Sequence, residues 1–236
     1  MGNIRLFSSE RLSLNLSSKL NKSQSHYINK VMRIKVNEKF SLFNSAGEWE
    51  AKINQITKGV VEFTIVKHLR SQEKSKELWL AFSPIKSNYF NFMIQKSTEL
   101  GTTKFIPIIT DRTIVRKINI KRLEKIVIES CEQSNRLKIP AIEKPTSLEN
   151  FIKINQNLDI IFCDLNASSK IINSNILKNQ NPLCILIGPE GDFTENERKK
   201  ILKLKNVQSM KINENILRSE TAAVSALSII SYYLSL

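Results

Sequence analysis

The chain has 236 residues, 41% of them hydrophobic, with 36 Lys and Arg against 22 Asp and Glu and a formal charge of +14. That much apolar material supplies one large or two modest cores and excludes a disordered chain. So large a basic surplus predicts an anionic partner, nucleic acid foremost, although a composition rich in Lys, Ile and Asn also follows from A+T-rich coding.

Residues 1–70 read as mostly β. Short strands are expected at 4–7 and 12–16, and a single helix at 25–33. A hairpin is expected from strands 39–43 and 48–56 around Asn44-Ser-Ala-Gly47, with Gly47 placed for a positive φ. Trp49, Ala51 and Ile53 alternate with Glu48, Glu50 and Lys52, which predicts a half-buried strand with the charged residues outside. Strand 60–66 follows, and the set suggests a small barrel. Residues 1–76 hold 14 basic and 6 acidic side chains, more than half of the basic surplus in a third of the chain. Residues 71–76 read as a linker. Beyond them the rhythm becomes α/β: strands at 78–82, 103–109, 158–163, 183–187 and 207–212, and helices at 89–100, 121–135, 194–205 and 221–234. Gly101 is expected to end the first of these helices, and Thr194 with Glu197 to open the third as a capping box. Strands alternating with helices predict a parallel sheet covered on both faces.

Three scattered cysteines (Cys131, Cys163, Cys184) and two histidines (His26, His68) show no C-x-x-C or H-E-x-x-H spacing, which argues against a metal site or a disulfide framework. No apolar run approaches roughly 18 residues, so the chain is expected to be cytoplasmic, with no membrane partner. No two of the six glycines are separated by one residue. That excludes a G-x-G-x-x-G dinucleotide fingerprint, and no P-loop exists either, so a nucleotide-like cofactor must be held another way.

Two late segments carry the chemistry. Leu183-Cys-Ile-Leu-Ile-Gly-Pro-Glu-Gly-Asp-Phe193 and Ile216-Leu-Arg-Ser-Glu-Thr-Ala-Ala223 each break from apolar chain into a polar turn before a helix, where main-chain N–H groups are free to face a ligand. Gly188 permits close approach, Pro189 stiffens the turn and Gly191 is expected at positive φ. Nothing in turn geometry asks for the carboxylate of Glu190. Arg218 and Glu220 precede an almost uncharged helix of small residues, and Glu220 is expected to orient Arg218; a structural ion pair capping that helix is the competing reading. Lys96 and Glu99 share a helical face, as do Glu129, Gln133 and Arg136. No Ser/His/Asp or Cys/His pair points to nucleophilic hydrolysis.

Together these segments resemble the RsmE family, bacterial 16S (small-subunit) ribosomal RNA uracil-N3 methyltransferases of the SPOUT superfamily. The resemblance runs nearly end to end through Gln95-Lys-Ser-Thr-Glu-Leu-Gly101, Glu129-x-x-Glu-Gln-Ser-x-Arg136 with Pro140, Ile187-Gly-Pro-Glu-Gly191 and Ile216-Leu-Arg-Ser-Glu-Thr-Ala222. His26-x-x-x-Lys-Val-Met-Arg33 looks like the family's N-terminal helix. The resemblance implies an α/β protein: a PUA-like RNA-binding β-barrel over 1–72 and a methyltransferase domain with a deep trefoil knot over 73–236. It also implies a homodimer acting on small-subunit ribosomal RNA. S-adenosylmethionine would be gripped by Leu186, Ile187, Gly188, Pro189, Glu190 and Gly191, and by Ile212, Asn213, Ile216, Leu217, Arg218 and Thr221, with Leu165 on a third wall. Arg218, Glu220 and a partner subunit's Arg136 would be the catalytic groups. Arg5, Lys30, Arg33, Lys96 and Arg136 would grip RNA. Two positions depart from the family pattern, which has a glycine at Asp192 and near Asn213. Asn213 is expected to adopt the left-handed backbone in its place, and Asp192 to help start the following helix. Another SPOUT activity, on a ribose 2′-hydroxyl or another base, and a silent RNA-binding assembly protein are the alternatives.

Overall fold

The computed structural model describes residues 4–72, 75–168, 173, 176, 177 and 179–235. The expected linker therefore lies partly outside the described residues. The chain divides into two compact units. One comprises Met1–Lys74 together with Cys131–Ile139, the other Ser75–Ser130 and Pro140–Leu236.

The first unit holds β1 (Arg5–Phe7), β2 (Ser17–Lys19), β3 (Lys39–Asn44), β4 (Gly47–Thr57) and β5 (Val60–Ser71). They form a sheet ordered β1-β3-β4-β5-β2, with β1 parallel to β3 and the other pairings antiparallel. Among the described residues the two edge strands are not paired with each other. The sheet encloses one apolar cluster that includes Leu42, Trp49, Ala51, Ile53, Phe63 and Ile65, and Ile28 is buried in the same cluster. Ile28 comes from a π-helical turn (Tyr27–Val31) that continues α1 (Lys22–His26). That helix starts three residues before the expected position because Asn21 caps it, accepting from the Gln24 N–H. Residues 12–16 are not a strand: Asn15 stands in the left-handed region at φ 63°, and β2 begins only at Ser17.

The hairpin forms with Gly47 at positive φ as expected, 158°, but with a shorter loop. Asn44 pairs with Gly47, so the loop is Ser45-Ala46. Gly47 is needed because a Cβ there would lie 2.5 Å from the Arg70 carbonyl oxygen on β5. Trp49, Ala51 and Ile53 are buried as the alternation predicts. Glu48 is buried too, against expectation: an irregularity in register between Glu48 and Trp49 breaks the period of two.

Glu48 is the centre of a charged network. Its carboxylate accepts from Arg5 Nε at 2.9 Å and from Arg70 Nε at 2.8 Å. Arg5 also donates to the carbonyls of Cys131 at 2.9 Å and Arg136 at 3.0 Å, while Arg70 donates to the Asn135 carbonyl at 2.8 Å. These bonds, with Leu137 and Cys131 packed on Phe43, hold residues 131–139 in this unit. Arg5 is therefore not an RNA contact. Its side chain is 6% exposed and its donors are spent inside the protein.

The second unit contains β6 (Leu78–Phe82), α2 (Ser87–Glu99), β7 (Lys104–Ile109), α3 (Ile120–Gln133, whose last turn belongs to the first unit), β8 (Ala141–Ile142), β9 (Thr146–Ser147) and α4 (Leu148–Ile154). It continues through β10 (Asp159–Cys163), β11 (Leu183–Ile187), α5 (Glu195–Leu202), β12 (Val207–Met210) and α6 (Ser219–Ser235). The sheet runs β12-β10-β11-β6-β7-β8, with β9 also on β7, and every pairing is parallel. β11 is buried along its whole length, as an inner strand between helical layers must be. Gly101, at φ 102°, ends α2 as expected, and the Thr194–Glu197 capping box opens α5. The strand β12 stops at Met210 rather than 212. The pieces β8, β9 and α4 carried no periodic signal. From the edge strand β12 the chain returns past β10 to α6, which packs on α2 and β11. Among the described residues no helix is long and apolar enough to cross a membrane, and no cluster of metal-binding side chains exists.

The Glu48 carboxyl is pushed up by burial, but the hydrogen bonds and charges of Arg5 and Arg70 outweigh this and hold it below its ordinary 4.5. A folded-state value below the unfolded one means stability present above about pH 4.5 and lost as the pH falls through the folded value. Glu48→Ala, which strands the buried Arg5, is expected to cost about 3–5 kcal/mol near neutrality. Urea unfolding should show the gap between wild type and variant closing below about pH 4.5.

Candidate functional site

Parallel strands send all their following loops to one edge of the sheet, where open α/β folds bind ligands. Five loops meet this condition, after β6, β7, β10, β11 and β12. The Ser83 N–H, just past β6, donates to the Ile187 carbonyl at 3.2 Å. The Asp164 N–H, just past β10, donates to the Met210 carbonyl at 3.1 Å, which brings the start of the Leu165 loop beside the start of the Ile212 loop.

The turn after β11 is built by contact. A Cβ on Gly188 would lie 2.9 Å from the Phe193 ring, so only glycine lets the buried Phe193 fold back against the turn. The Asp192 N–H closes the turn on the Pro189 carbonyl at 2.9 Å. Asp192, not Gly191, takes the left-handed conformation, at φ 59°, and its carboxylate accepts from the Phe193 N–H at 2.8 Å. The expectation for the two departures is thus reversed. A short acidic side chain tolerates the left-handed backbone at 192. Asn213 is not at positive φ; it makes its turn through its side chain, which accepts from the Asn215 N–H at 2.9 Å.

The two late segments are joined directly: Ser219 Oγ donates to the Gly188 carbonyl at 3.0 Å. This bond places the start of α6 against the turn that follows β11. The loop after β7 supports the same turn. Arg112 Nη1 donates to the Gly191 carbonyl at 2.7 Å, and the Asp111 N–H donates to Glu197, the capping-box carboxylate, at 2.9 Å. Asp164, almost fully buried, is fixed by Arg198 at 2.9 Å. Arg112, Phe193, Ser219 and Arg198 were not singled out in the sequence. Arg112 stands 79 residues from its partner, and a serine between Arg218 and Glu220 gives no signal of a partner at Gly188.

Among the described residues, the main-chain N–H groups of Glu190, Gly191, Ile216 and Leu217 make no hydrogen bond within the protein. Apolar side chains stand exposed beside these loops: Ile216 is 83% and Leu165 42% exposed. Main-chain donors next to apolar walls are the donor set for a flat heterocycle with polar edges. Glu190 and Thr221 are exposed, and Leu186, Ile187 and Pro189 are buried.

Arg218 is exposed, with its guanidinium carbon 5.4 Å from the Tyr89 ring centroid. Glu220 does not orient it. That carboxylate is buried in the first turn of α6 and, among the described residues, makes no hydrogen bond or ion pair with Arg218. Arg136 belongs to the other unit, and burial pulls its guanidinium below the ordinary value. Lys96 is paired with Glu99 at 2.9 Å, as the spacing predicts. Lys30 and Arg33 are exposed, Arg33 at φ 55°. Burial pushes the Cys163 and Cys184 thiols upward, so neither is a nucleophile at neutral pH.

Residues 72–231 match the RNA methyltransferase domain family and residues 20–66 the RNA methyltransferase PUA domain family, so fold and site define an RNA methyltransferase. Ribosomal RNA small subunit methyltransferase E of Rickettsia conorii is 38% identical over 211 residues, covering 86% of this chain and 84% of its own. The protein of the same name from Buchnera aphidicola (strain APS) is 32% identical over 94% of this chain and 90% of its own. The crystal structure of the Neisseria gonorrhoeae ribosomal RNA small subunit methyltransferase E bound to S-adenosyl methionine superposes with a TM-score of 0.88. It is 27% identical and the match covers 98% of this chain and 97% of that one. The chain belongs to the ribosomal RNA small subunit methyltransferase E family.

Gly188→Ala is expected to lose about 1–3 kcal/mol by overpacking against Phe193. Thermal unfolding should show a smaller loss when the same change is made in a Phe193→Leu background, where the ring that the new methyl meets is gone.

Proposed function

We propose that this chain methylates N3 of a uridine in 16S ribosomal RNA, using S-adenosylmethionine and acting as a cytoplasmic homodimer. The observation that carries the reading is the Ser219–Gly188 bond, which joins the two motif turns into one site beside unspent main-chain donors. The Neisseria relative binds S-adenosyl methionine, and the residues here fit that group: a neutral, largely main-chain donor set at 190–191 and 216–217, with Leu165 and Ile216 as apolar walls. Leu186–Gly191, Ile212, Asn213, Leu217, Arg218 and Thr221 complete the proposed binding set. We read the return of the chain from β12 to α6 as the threading of a trefoil knot, a rare exception to un-knotted topology. The small residues of α6 and the exposed Tyr232 and Tyr233 support a subunit interface there.

S-adenosylmethionine, when bound, supplies a methyl group on a sulfonium and so an electrophile that needs no further activation. The protein's task lies with the base, whose N3 carries a proton and is a weak acid. Arg218 is the cation placed to stabilise the negative charge that deprotonation puts on the uracil oxygens. It is exposed and carries no carboxylate partner among the described residues. Glu190, the carboxylate of the turn itself, is the candidate to take the N3 proton. N3 lies on the pairing edge, so the uridine is read unpaired or flipped out. Lys30 and Arg33 in the PUA-family unit, with Lys96 and Arg136, are proposed to hold phosphates, which makes binding salt-dependent.

Purified unmodified small subunits and labelled S-adenosylmethionine test the reading, with the product nucleoside identified by mass spectrometry. N3-methyluridine is expected. A ribose 2′-O-methyl or another methylated base would overturn the choice of atom, and absence of cofactor binding by calorimetry would support a silent adaptor. Arg218→Ala is expected to lower turnover by about 100-fold or more while the fold and the dimer persist. Lys30→Ala and Arg33→Ala should each flatten the slope of log affinity for RNA against log salt by about one unit.

A further inference from the structure

We propose that Tyr89 is a positioning residue for Arg218, holding the guanidinium beside its ring without a carboxylate so that N–H donors stay available for the uracil oxygens. The proposal rests on the reading that Arg218 stabilises the deprotonated base.

Other arginines among the described residues are held by carboxylates. Arg5 and Arg70 bind Glu48, and Arg198 binds Asp164. Arg218 is not. Among the described residues its side chain makes neither an ion pair nor a hydrogen bond, and its one recorded side-chain partner is the Tyr89 ring, 5.4 Å from the guanidinium carbon. The difference is chemical. A carboxylate fixes an arginine by occupying its N–H fork and cancelling its charge. An aromatic face within about 6 Å attracts the cation through the ring quadrupole and leaves its charge uncancelled. An arginine that must stabilise a transient anion needs the second kind of support.

Both ends of the pair are anchored. Ser219, next in the chain, is bonded to the Gly188 carbonyl, and the Ala222 N–H donates to the Arg218 carbonyl at 2.8 Å. Tyr89 lies in the first turn of α2, and α2 packs on α6. The Tyr89 hydroxyl makes no hydrogen bond among the described residues, so the ring is the part that acts. Tyr89 is 50% exposed, which leaves the group accessible on the solvent side.

The test measures methyl transfer to unmodified small subunits by the full-length protein. Tyr89→Leu is expected to lower kcat by about 2-fold to 5-fold, the range that an exposed cation–π contact spans, with KM for S-adenosylmethionine and the thermal midpoint unchanged. Tyr89→Phe and Tyr89→Trp are expected to restore the rate that leucine loses. In an Arg218→Ala background, Tyr89→Leu should cause no further loss. Wild-type kcat in Tyr89→Leu, equal impairment in Tyr89→Phe, or an additive loss in the double variant would each overturn the inference and leave the methyltransferase reading standing. A wild-type protein that transfers no methyl group to the subunits, or an Arg218→Ala variant as active as wild type, would overturn the reading on which the inference rests.

Discussion

The larger unit depends on one constraint: every strand pairing in its sheet is parallel. Parallel pairing collects the loops of distant strands at a single edge, whatever their separation in the chain. Residues 83, 111, 164, 190 and 217 become neighbours in topology before any side chain contributes. The Ser219–Gly188 hydrogen bond then turns neighbourhood into contact. A hydrogen bond of this kind contributes only about 1 kcal/mol, so it selects one arrangement of two turns already brought together rather than creating it. Phe193 and Arg112 act on the same turn from opposite sides, one through shape and one through a charged donor to a carbonyl.

Charge is used differently in the two units. In the first, Arg5 and Arg70 are committed to Glu48 and to main-chain carbonyls, and Arg5 and Glu48 are nearly closed to solvent. Such groups specify position, since each would be costly if left alone in the interior. In the second, Arg218 is solvent-facing and uncommitted to any carboxylate among the described residues. The same residue type thus serves as fixed architecture in one place and as available charge in the other, and the partner decides which.

Much of this was legible in the chain. β6 and β11 fall on the residues expected, because a short continuous apolar run bounded by turn formers has few other uses. The α5 capping box was readable from two residues three apart. What escaped were features set by partners remote in sequence. Glu48 looked like the outer face of a strand, and its burial follows from Arg5 lying 43 positions away and from a break in register. Arg5 looked like surface charge, although its carbonyl partners lie more than a hundred positions off. The left-handed backbone at Asp192 rather than Asn213 shows a finer limit. Both side chains tolerate left-handed backbone, and only the closure of the turn on Pro189 decides which must adopt it. β8 and β9 are two residues each, too short for any period to show.

The membership of Cys131–Ile139 in the first unit bears on how this gene can be divided. A fragment ending at residue 72 would lack Cys131 and Leu137, which pack on Phe43, and would leave Arg5 without the carbonyls it now binds. Neither part is encoded as one continuous stretch. Exchange of a whole module by a single recombination event therefore breaks an interior, and the two parts are bound to be inherited together.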